Sequence, residues 1–224
     1  ADGRYGLLVF SLEEPDNPIL ISDNREHAGF DLIDAFEDHI LATNRTQIYS
    51  GIISEHGEID FRDNYECYEA MQMQIADSIL YFYKGRLRYL ELSENGQLSN
   101  PNVVTTNGED VFGRFIVEDS LIYASYGGDE FDYNYAVVNI SNLEHPQILG
   151  GYHADTRLNT KSGNYLYHTY GDENFQIVDA SDLRNPRIIG GIPRDSIRTA
   201  NGVTAGEGVL SVRFQDGLKF LDTS

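Results

Sequence analysis

The segment Phe175–Pro193, FQIVDASDLRNPRIIGGIP, combines a short strand, a turn and the start of a second strand. Its first four residues are mostly apolar or β-branched and too few for a helix, so they predict a strand that ends at Asp179. A turn follows, because Pro186 fixes its own φ and disfavours a helical Asn185, while Asp and Asn side chains can hydrogen-bond nearby backbone. Ile188 begins the second strand. The segment therefore predicts a strand–turn–strand unit of an all-β protein.

Weaker copies of this unit recur along the chain at intervals of roughly forty residues. The last residues of the equivalent strands are Phe10, Ser50, Glu91, Asn139, Asp179 and Asp222. Two further strand signals lie between successive copies, so each repeat holds four short antiparallel strands. A repeated four-stranded meander of this length is typical of a β-propeller blade. Helical repeats are excluded because no apolar stripe of period 3.6 is present, and a Greek-key sandwich is the structural alternative.

The predicted organisation is a single β-propeller domain, or a fragment of one, with about five or six blades that could belong to a larger propeller. The approximate repeats are 1–29 (partial), 30–66, 67–110, 111–153, 154–194 and 195–224 (partial). Two strands of an incomplete repeat stand at the start and three at the end. Either the termini close a ring by exchanging strands, or the chain is a piece of a longer repeat protein. We expect the second, because a natural N-terminus rarely begins inside a hairpin.

Three copies carry a family resemblance: GLLVFSLEEPDNPILI from Gly6, AVVNISNLEHPQILGGY from Ala136 and FQIVDASDLRNPRIIGGI from Phe175. They resemble the LVIVD-repeat family, in which a strand ending in Ile-Val-Asp precedes a proline-containing turn and a strand ending in glycine. The resemblance is weak between Phe30 and Thr106. It implies a β-propeller, usually in extracytoplasmic or surface-anchored proteins, and it implies no particular activity.

The charge balance excludes two classes of partner. Asp and Glu number 36 against 16 Lys and Arg, a formal net charge of −20. Nucleic acid and anionic membrane surfaces are therefore disfavoured. No apolar run approaches the ~20 residues of a membrane-spanning helix, so direct membrane insertion is not expected. Cys67 is the only cysteine, which excludes an intrachain disulfide and predicts a buried thiol.

Acidic residues suggest caps and one metal site. Asp179 and Asp222 recur at strand ends, where we expect them to cap the following turn, as Asn139 can do without a charge. An acidic insertion places four oxygen-bearing side chains close together: Asp129, Glu130, Asp132 and Asn134. Such a group suits Ca²⁺, although the spacing matches no EF-hand, and a solvated acidic loop is the alternative. Ca²⁺ is the only cofactor that the sequence suggests.

A second candidate site is basic. Alignment of the strands that should line a propeller channel places Gln72, Arg114 and Arg157 at one equivalent position, with Arg198 nearby in the last repeat. Converging arginines can hold a carboxylate or phosphate with paired hydrogen bonds. The alternative is that these arginines neutralise nearby Asp and Glu side chains.

No catalytic motif is present in the sequence, so the function we predict is binding. The expected function is that of a non-enzymatic β-propeller domain, extracellular or on the cell surface or periplasmic, which contacts other proteins, glycans or further copies of itself. The alternative is a propeller hydrolase or lyase that acts on an anionic substrate in the central channel.

Overall fold

The computed structural model describes residues 6–25, 29–44, 46–68, 70, 72–106, 109–126, 134–154, 156–171, 175–192, 200–206, 209–214 and 217–222. The regular elements in these ranges are β-strands. Within the same ranges, no helix has the length and apolar character needed to cross a membrane. The chain divides into two compact units, Ala1–Val103 (unit 1) and Val104–Ser224 (unit 2).

In unit 1, consecutive strands pair antiparallel. A two-stranded sheet consists of β1 (Leu7–Ser11) and β2 (Ile19–Asn24). A four-stranded sheet consists of β3 (Leu32–Phe36), β4 (His39–Thr43), β5 (Gln47–Ile53) and β6 (Ile59–Glu66). A second four-stranded sheet consists of β7 (Gln72–Ala76), β8 (Ile79–Tyr83), β9 (Leu87–Glu91) and β10 (Asn102–Val103).

The burial of these strands follows from their position in the sheet. Every residue of β4 is buried, because this inner strand is covered on both faces. In β6, which lies at a sheet edge, half-buried and exposed residues alternate with the period of two that one covered face produces. The main core of unit 1 lies between its two four-stranded sheets and includes Leu41, Leu80 and Phe82, all 0% exposed.

Hydrogen bonds also join the two four-stranded sheets of unit 1. The hydroxyl of Ser50 donates to the backbone oxygen of Gly96 at 2.5 Å, and the N–H of Leu98 donates to Asp63 at 2.9 Å. The N–H of Ile75 donates to Asp34 at 2.7 Å. The turn between the third and fourth strands of one sheet therefore rests on the preceding sheet.

Unit 2 continues the meander. Its first sheet consists of β11 (Thr105–Thr106), β12 (Glu109–Glu118), β13 (Leu121–Tyr126), β14 (Tyr135–Asn139) and β15 (Gln147–Tyr152). Its second sheet consists of β16 (Thr156–Ser162), β17 (Tyr165–Gly171), β18 (Phe175–Asp179) and β19 (Arg187–Ile192). Its third sheet consists of β20 (Ala200–Gly206), β21 (Val209–Phe214) and β22 (Gly217–Asp222).

Each face of the β16–β19 sheet contacts a different neighbour in unit 2. Val178 packs with residues of β13–β15 in one cluster, whereas Phe175 packs with residues of β20 and β21 in another. Register partners repeat between sheets: Val138 pairs with Ile148 as Val178 pairs with Ile188. The β16–β19 sheet therefore has one face for the preceding sheet and one face for the following sheet of unit 2.

The predicted caps are confirmed at two strand ends. The Asp179 carboxylate accepts the N–H of Ser181 at 2.9 Å, and the amide oxygen of Asn139 accepts the N–H of Ser141 at 2.8 Å. A hydrogen bond from the side chain of Ser181, together with that from its N–H, holds the pKa of Asp179 below its usual value. Asp222 ends β22, and the residues after it lie outside the described ranges. Cys67 is buried as expected, and burial raises the pKa of its thiol.

Candidate functional site

Arg114 lies where β12 departs from regular pairing. Val111 pairs with Tyr126 and Phe115 with Ala124, so three residues of β12 stand opposite Ser125 alone. Gly113 makes this possible with a φ of +81°, because a Cβ there would approach Oγ of Ser125 to 2.1 Å. A bulge of this kind redirects the side chains beside it, and it leaves Arg114 exposed on the first long strand of its sheet.

Arg157 lies at a similar irregularity in β16. The pairing of β16 with β17 shifts between Thr156 and Arg157 and again between Leu158 and Thr160. Arg157 is exposed, and its backbone oxygen accepts a hydrogen bond from the side chain of Asn159 at 2.6 Å. Since β12 and β16 contact each other, the two bulged strands bring their arginines to neighbouring positions in unit 2.

Three buried aromatic rings pack together in unit 2. Tyr135 stacks on its register partner Tyr152 at 5.3 Å between ring centroids, and His168 meets Tyr135 edge-on at 4.7 Å. The hydroxyl of Tyr152 is 2.9 Å from Nε2 of His168. These contacts involve β14, β15 and β17, and they fix the orientation of the Tyr135 ring.

The charges of both arginines act on the phenol of Tyr135. Burial raises the pKa of the Tyr135 phenol, while the N–H of Leu158, which donates to the phenol oxygen, and the charges of Arg114 and Arg157 oppose the rise. Two guanidinium groups and a phenol oxygen next to the start of β16 form an arrangement that can bind an anion.

The other two residues of the predicted anion site are Gln72 and Arg198. Gln72 begins β7 in unit 1, where it pairs with Tyr83. Arg198 lies outside the described residues. The predicted four-residue site therefore stays a prediction, and two of its residues, Arg114 and Arg157, lie on contacting strands of unit 2.

The sequence interpretation missed Tyr135, Tyr152 and His168. A signal for the two tyrosines exists, since they face each other at one end of the β14–β15 pair, a position that the repeat alignment could have matched. His168 has no comparable signal, because its contacts reach it from the neighbouring sheet.

The calcium prediction stays open. Asp129, Glu130 and Asp132 lie outside the described residues. Asn134 is described, and its side chain exchanges two hydrogen bonds of 2.9 Å with the backbone of Ala154. Among the described residues, no group of three or more His, Cys, Asp and Glu side chains could hold a metal ion.

A surface recess in unit 1 is a weaker candidate. It has a volume of about 390 Å³ and lies beside β5 and β6, with a lining of Ile52, Ser54, Glu58, Ile59, Asp60 and Arg62. Arg62 already pairs with Asp60 at 2.7 Å. This ion pair uses the cation that an anionic ligand would need.

Large apolar side chains are exposed on the first and last sheets. On β1, Leu8 is 41% and Phe10 46% exposed, and we call this pair the front face. On β22, Leu218 is 58% and Phe220 69% exposed, and we call this pair the rear face. Contiguous exposed apolar surface is uncommon on a monomeric soluble protein and usually marks an interaction surface.

No known family model matches the sequence, and no curated protein does. Solved structures do resemble the chain. A protein from Lactobacillus plantarum has a TM-score of 0.73 and 12% identity, with 100% of this chain and 76% of that chain covered. BamB from Moraxella catarrhalis has a TM-score of 0.55 and 12% identity, with 90% and 62% covered.

A chain in the structure of S. cerevisiae Dbp5 bound to Nup159, Gle1, IP6 and ADP has a TM-score of 0.54 and 12% identity, with 88% of this chain and 61% of that chain covered. BamB and Nup159 are β-propeller proteins. The chain therefore has a β-propeller fold, in which the antiparallel sheets are blades. It spans less than two thirds of BamB and of the chain in the Dbp5 complex, and identities this low establish the fold and no activity.

Proposed function

We propose that this chain is a non-enzymatic β-propeller domain that acts through protein contacts and assembles head to tail, with the rear face of one copy docked on the front face of the next. The observation that carries the proposal is the exposure of blade-packing positions on the first and last sheets. Both faces stay uncovered in the described structure.

Register identifies what the front face is built to contact. Phe10 pairs with Leu20 as Val178 pairs with Ile188, so Phe10 is equivalent to Val178. The sequence alignment, which matched Phe10 with Asp179, was wrong by one residue here, because Ser11 is the partner of Ile19 as Asp179 is the partner of Arg187. Val178 is 0% exposed because the preceding blade covers it, whereas Phe10 is 46% exposed. The front face therefore has the chemistry of a surface that packs against a preceding blade.

The rear face is complementary to the front face, because it has the chemistry of a surface that packs against a following blade. Phe220 pairs with Ser211 as Ile177 pairs with Tyr167, so Phe220 and Ile177 are equivalent. Ile177 packs against the following blade, whereas Phe220 is 69% exposed. A second copy supplies the missing neighbour for each face, and such a contact is heterologous and can extend into chains of molecules.

The net charge of −20 opposes this association, because identical copies repel each other. Salt screens that repulsion, so assembly should strengthen as ionic strength rises. A propeller neighbour also occurs within a protein assembly, the complex of Dbp5 with Nup159 and Gle1, which supports protein partners in general.

The test is light scattering of the full chain over a range of concentrations and salt. Wild-type protein should associate, and the Phe10→Asp and Phe220→Asp variants should each be monomeric. An equimolar mixture of the two variants should form dimers only, because each retains the face that the other lacks. Ile188→Asp, at a 45% exposed position of a complete blade, is the matched control and should associate like wild type.

A wild-type monomer under all of these conditions would refute self-assembly and leave a different protein or a glycan as the occupant. Association that persists in both single variants would refute the two faces as the contact.

We also propose that the domain belongs to the LVIVD-repeat family and is located outside the cytoplasm. The strand, Asp cap and proline-turn pattern of residues 175–193 supports the family, and the family supports the location. Protease treatment of intact host cells should degrade a surface-exposed protein, and full protection together with recovery in the cytosolic fraction would contradict the proposal.

The alternative of a hydrolase or lyase has the arginine pair as its support. The potential proton-transfer groups beside that pair are enclosed, since His168 is 0% and Tyr152 6% exposed. Among the described residues, the carboxylates with a displaced pKa are Asp23, Asp179 and Asp182. Hydrogen bonds lower the pKa of each, the direction opposite to that of a general acid. The geometry therefore favours binding over catalysis.

A further inference from the structure

We infer that Arg114 and Arg157 form, with the hydroxyl end of Tyr135, a site in unit 2 that binds a carboxylate or phosphate group. The inference is independent of head-to-tail assembly, because it uses β12, β14 and β16 and neither of the exposed faces.

The backbone departs from regular strand pairing beside both arginines. A regular strand sends successive side chains to opposite faces, and a bulge changes that direction locally. Irregular pairing occurs beside Arg114 in β12 and beside Arg157 in β16, on two strands that contact each other. In β12 the bulge depends on Gly113, whose left-handed φ no larger residue would adopt without strain.

Tyr135 supplies a fixed ring next to the start of β16. Its ring is held by Tyr152 and His168, and its oxygen accepts the N–H of Leu158, the residue after Arg157. The positive charges of Arg114 and Arg157 both act on this oxygen. An anion beside the Tyr135 hydroxyl would therefore be attracted by both positive charges.

The charge of Arg114 is open to an external anion. At the hairpin end of the same strands, Lys161 and Glu118 form an ion pair with each other. Arg114 is exposed and, within the described ranges, forms no ion pair with a carboxylate. Its charge therefore has no protein partner there to neutralise it. A guanidinium binds a carboxylate or a phosphate with two parallel hydrogen bonds, which fits either anion.

The experiment is calorimetric titration of the full chain at low ionic strength with two probes, inorganic phosphate and succinate. We expect saturable binding of at least one probe, and the preferred probe distinguishes a phosphate ligand from a carboxylate ligand. Arg114→Gln and Arg157→Gln should each weaken that binding by about tenfold or more, the effect of losing a charge-assisted hydrogen bond. Tyr135→Phe should weaken binding less than either arginine variant.

Arg184→Gln is the matched control, because it removes the same charge from an exposed turn of unit 2 and should bind like wild type. Thermal melting should show that each variant is folded, and Arg114→Lys, which keeps the charge without the planar fork, should have intermediate affinity. The inference is overturned if wild type binds neither probe at millimolar concentration. It is also overturned if both arginine variants bind like wild type, or if Arg184→Gln weakens binding as much as they do.

Discussion

The hydroxyl of Tyr152 lies 2.9 Å from Nε2 of His168, and the two side chains are 6% and 0% exposed. Tyr152 belongs to one blade and His168 to the next. The hydrogen bond therefore links two blades inside unit 2, and Tyr135 packs against both rings.

Removal of this hydrogen bond should destabilise the protein. Tyr152→Phe keeps the ring and takes the hydrogen bond away from a buried imidazole nitrogen, which should lower the free energy of unfolding by about 1–3 kcal/mol. Urea denaturation measures the change. Tyr165→Phe, at a 43% exposed position, is the control and should unfold like wild type. Equal stability of both variants would show that the buried contact contributes nothing.

Alkaline pH should destabilise the fold through Tyr123. Burial, together with the charges of Glu118 and Asp119, raises the pKa of Tyr123 to about 12 from an ordinary value of 10.0. The folded state therefore holds the phenol proton more tightly than the unfolded state does. The corresponding stability is fully present below pH 10.0 and is lost as the pH rises to about 12.

The variant Tyr123→Phe lacks this phenol. As the pH rises from 10.0 to about 12, its free energy of unfolding should therefore fall by roughly 2 kcal/mol less than that of wild type, because a shift of one pKa unit corresponds to about 1.4 kcal/mol. Denaturation at a series of pH values measures the difference. Tyr68→Phe, at a 60% exposed position, should follow the wild-type curve. Identical curves for wild type and Tyr123→Phe would contradict the burial of this phenol.

The sequence predicted the features that depend on neighbouring residues. The strand of residues 175–178, the cap by Asp179 and the turn at Asp182 are local, since the Asp182 carboxylate accepts the N–H of Arg184 at 3.0 Å only two residues away. Short-range spacing is enough to specify such contacts, and their repetition along the chain indicated blades.

The candidate site was predicted only in part, because its contacts are not local. Repeat alignment matched Arg114 with Arg157, which the structure places on contacting strands of two sheets in unit 2. The bulges beside them and the packing of Tyr135 against His168 depend on how one sheet meets the next. A single sequence contains no periodic signal for either feature.

Backbone strain in the hairpins gives a third prediction. Glu37 has a φ of +54°, which is costly for a residue with a long side chain, and Gly163 has the same φ of +54° at the equivalent turn position. Glu37→Gly should therefore raise the free energy of unfolding by up to about 1 kcal/mol, after allowance for the greater freedom of glycine in the unfolded chain. Gly163→Ala should lower it by about 1 kcal/mol, although no atom lies within 4 Å of the added Cβ. Thermal denaturation of both variants measures the two effects, and changes of the same sign would contradict the argument.

The contact between blades in unit 2 gives the last prediction, for which the repeat provides its own control. Gly150 pairs with Val137 as Gly190 pairs with Ile177, so the two glycines are equivalent. A Cβ on Gly150 would lie 2.4 Å from the backbone oxygen of Arg184 in the next blade, whereas a Cβ on Gly190 would have no atom within 4 Å.

Gly150→Ala should therefore destabilise the protein by about 2–4 kcal/mol, because the clash is with backbone that cannot move without disturbing the turn. Gly190→Ala should change stability by no more than about 0.5 kcal/mol. Urea denaturation of the two variants measures the difference directly. If they were equally stable, the turn of residues 182–185 would not press on the preceding blade in solution, and the blade-packing order that defines the front and rear faces would lose its basis.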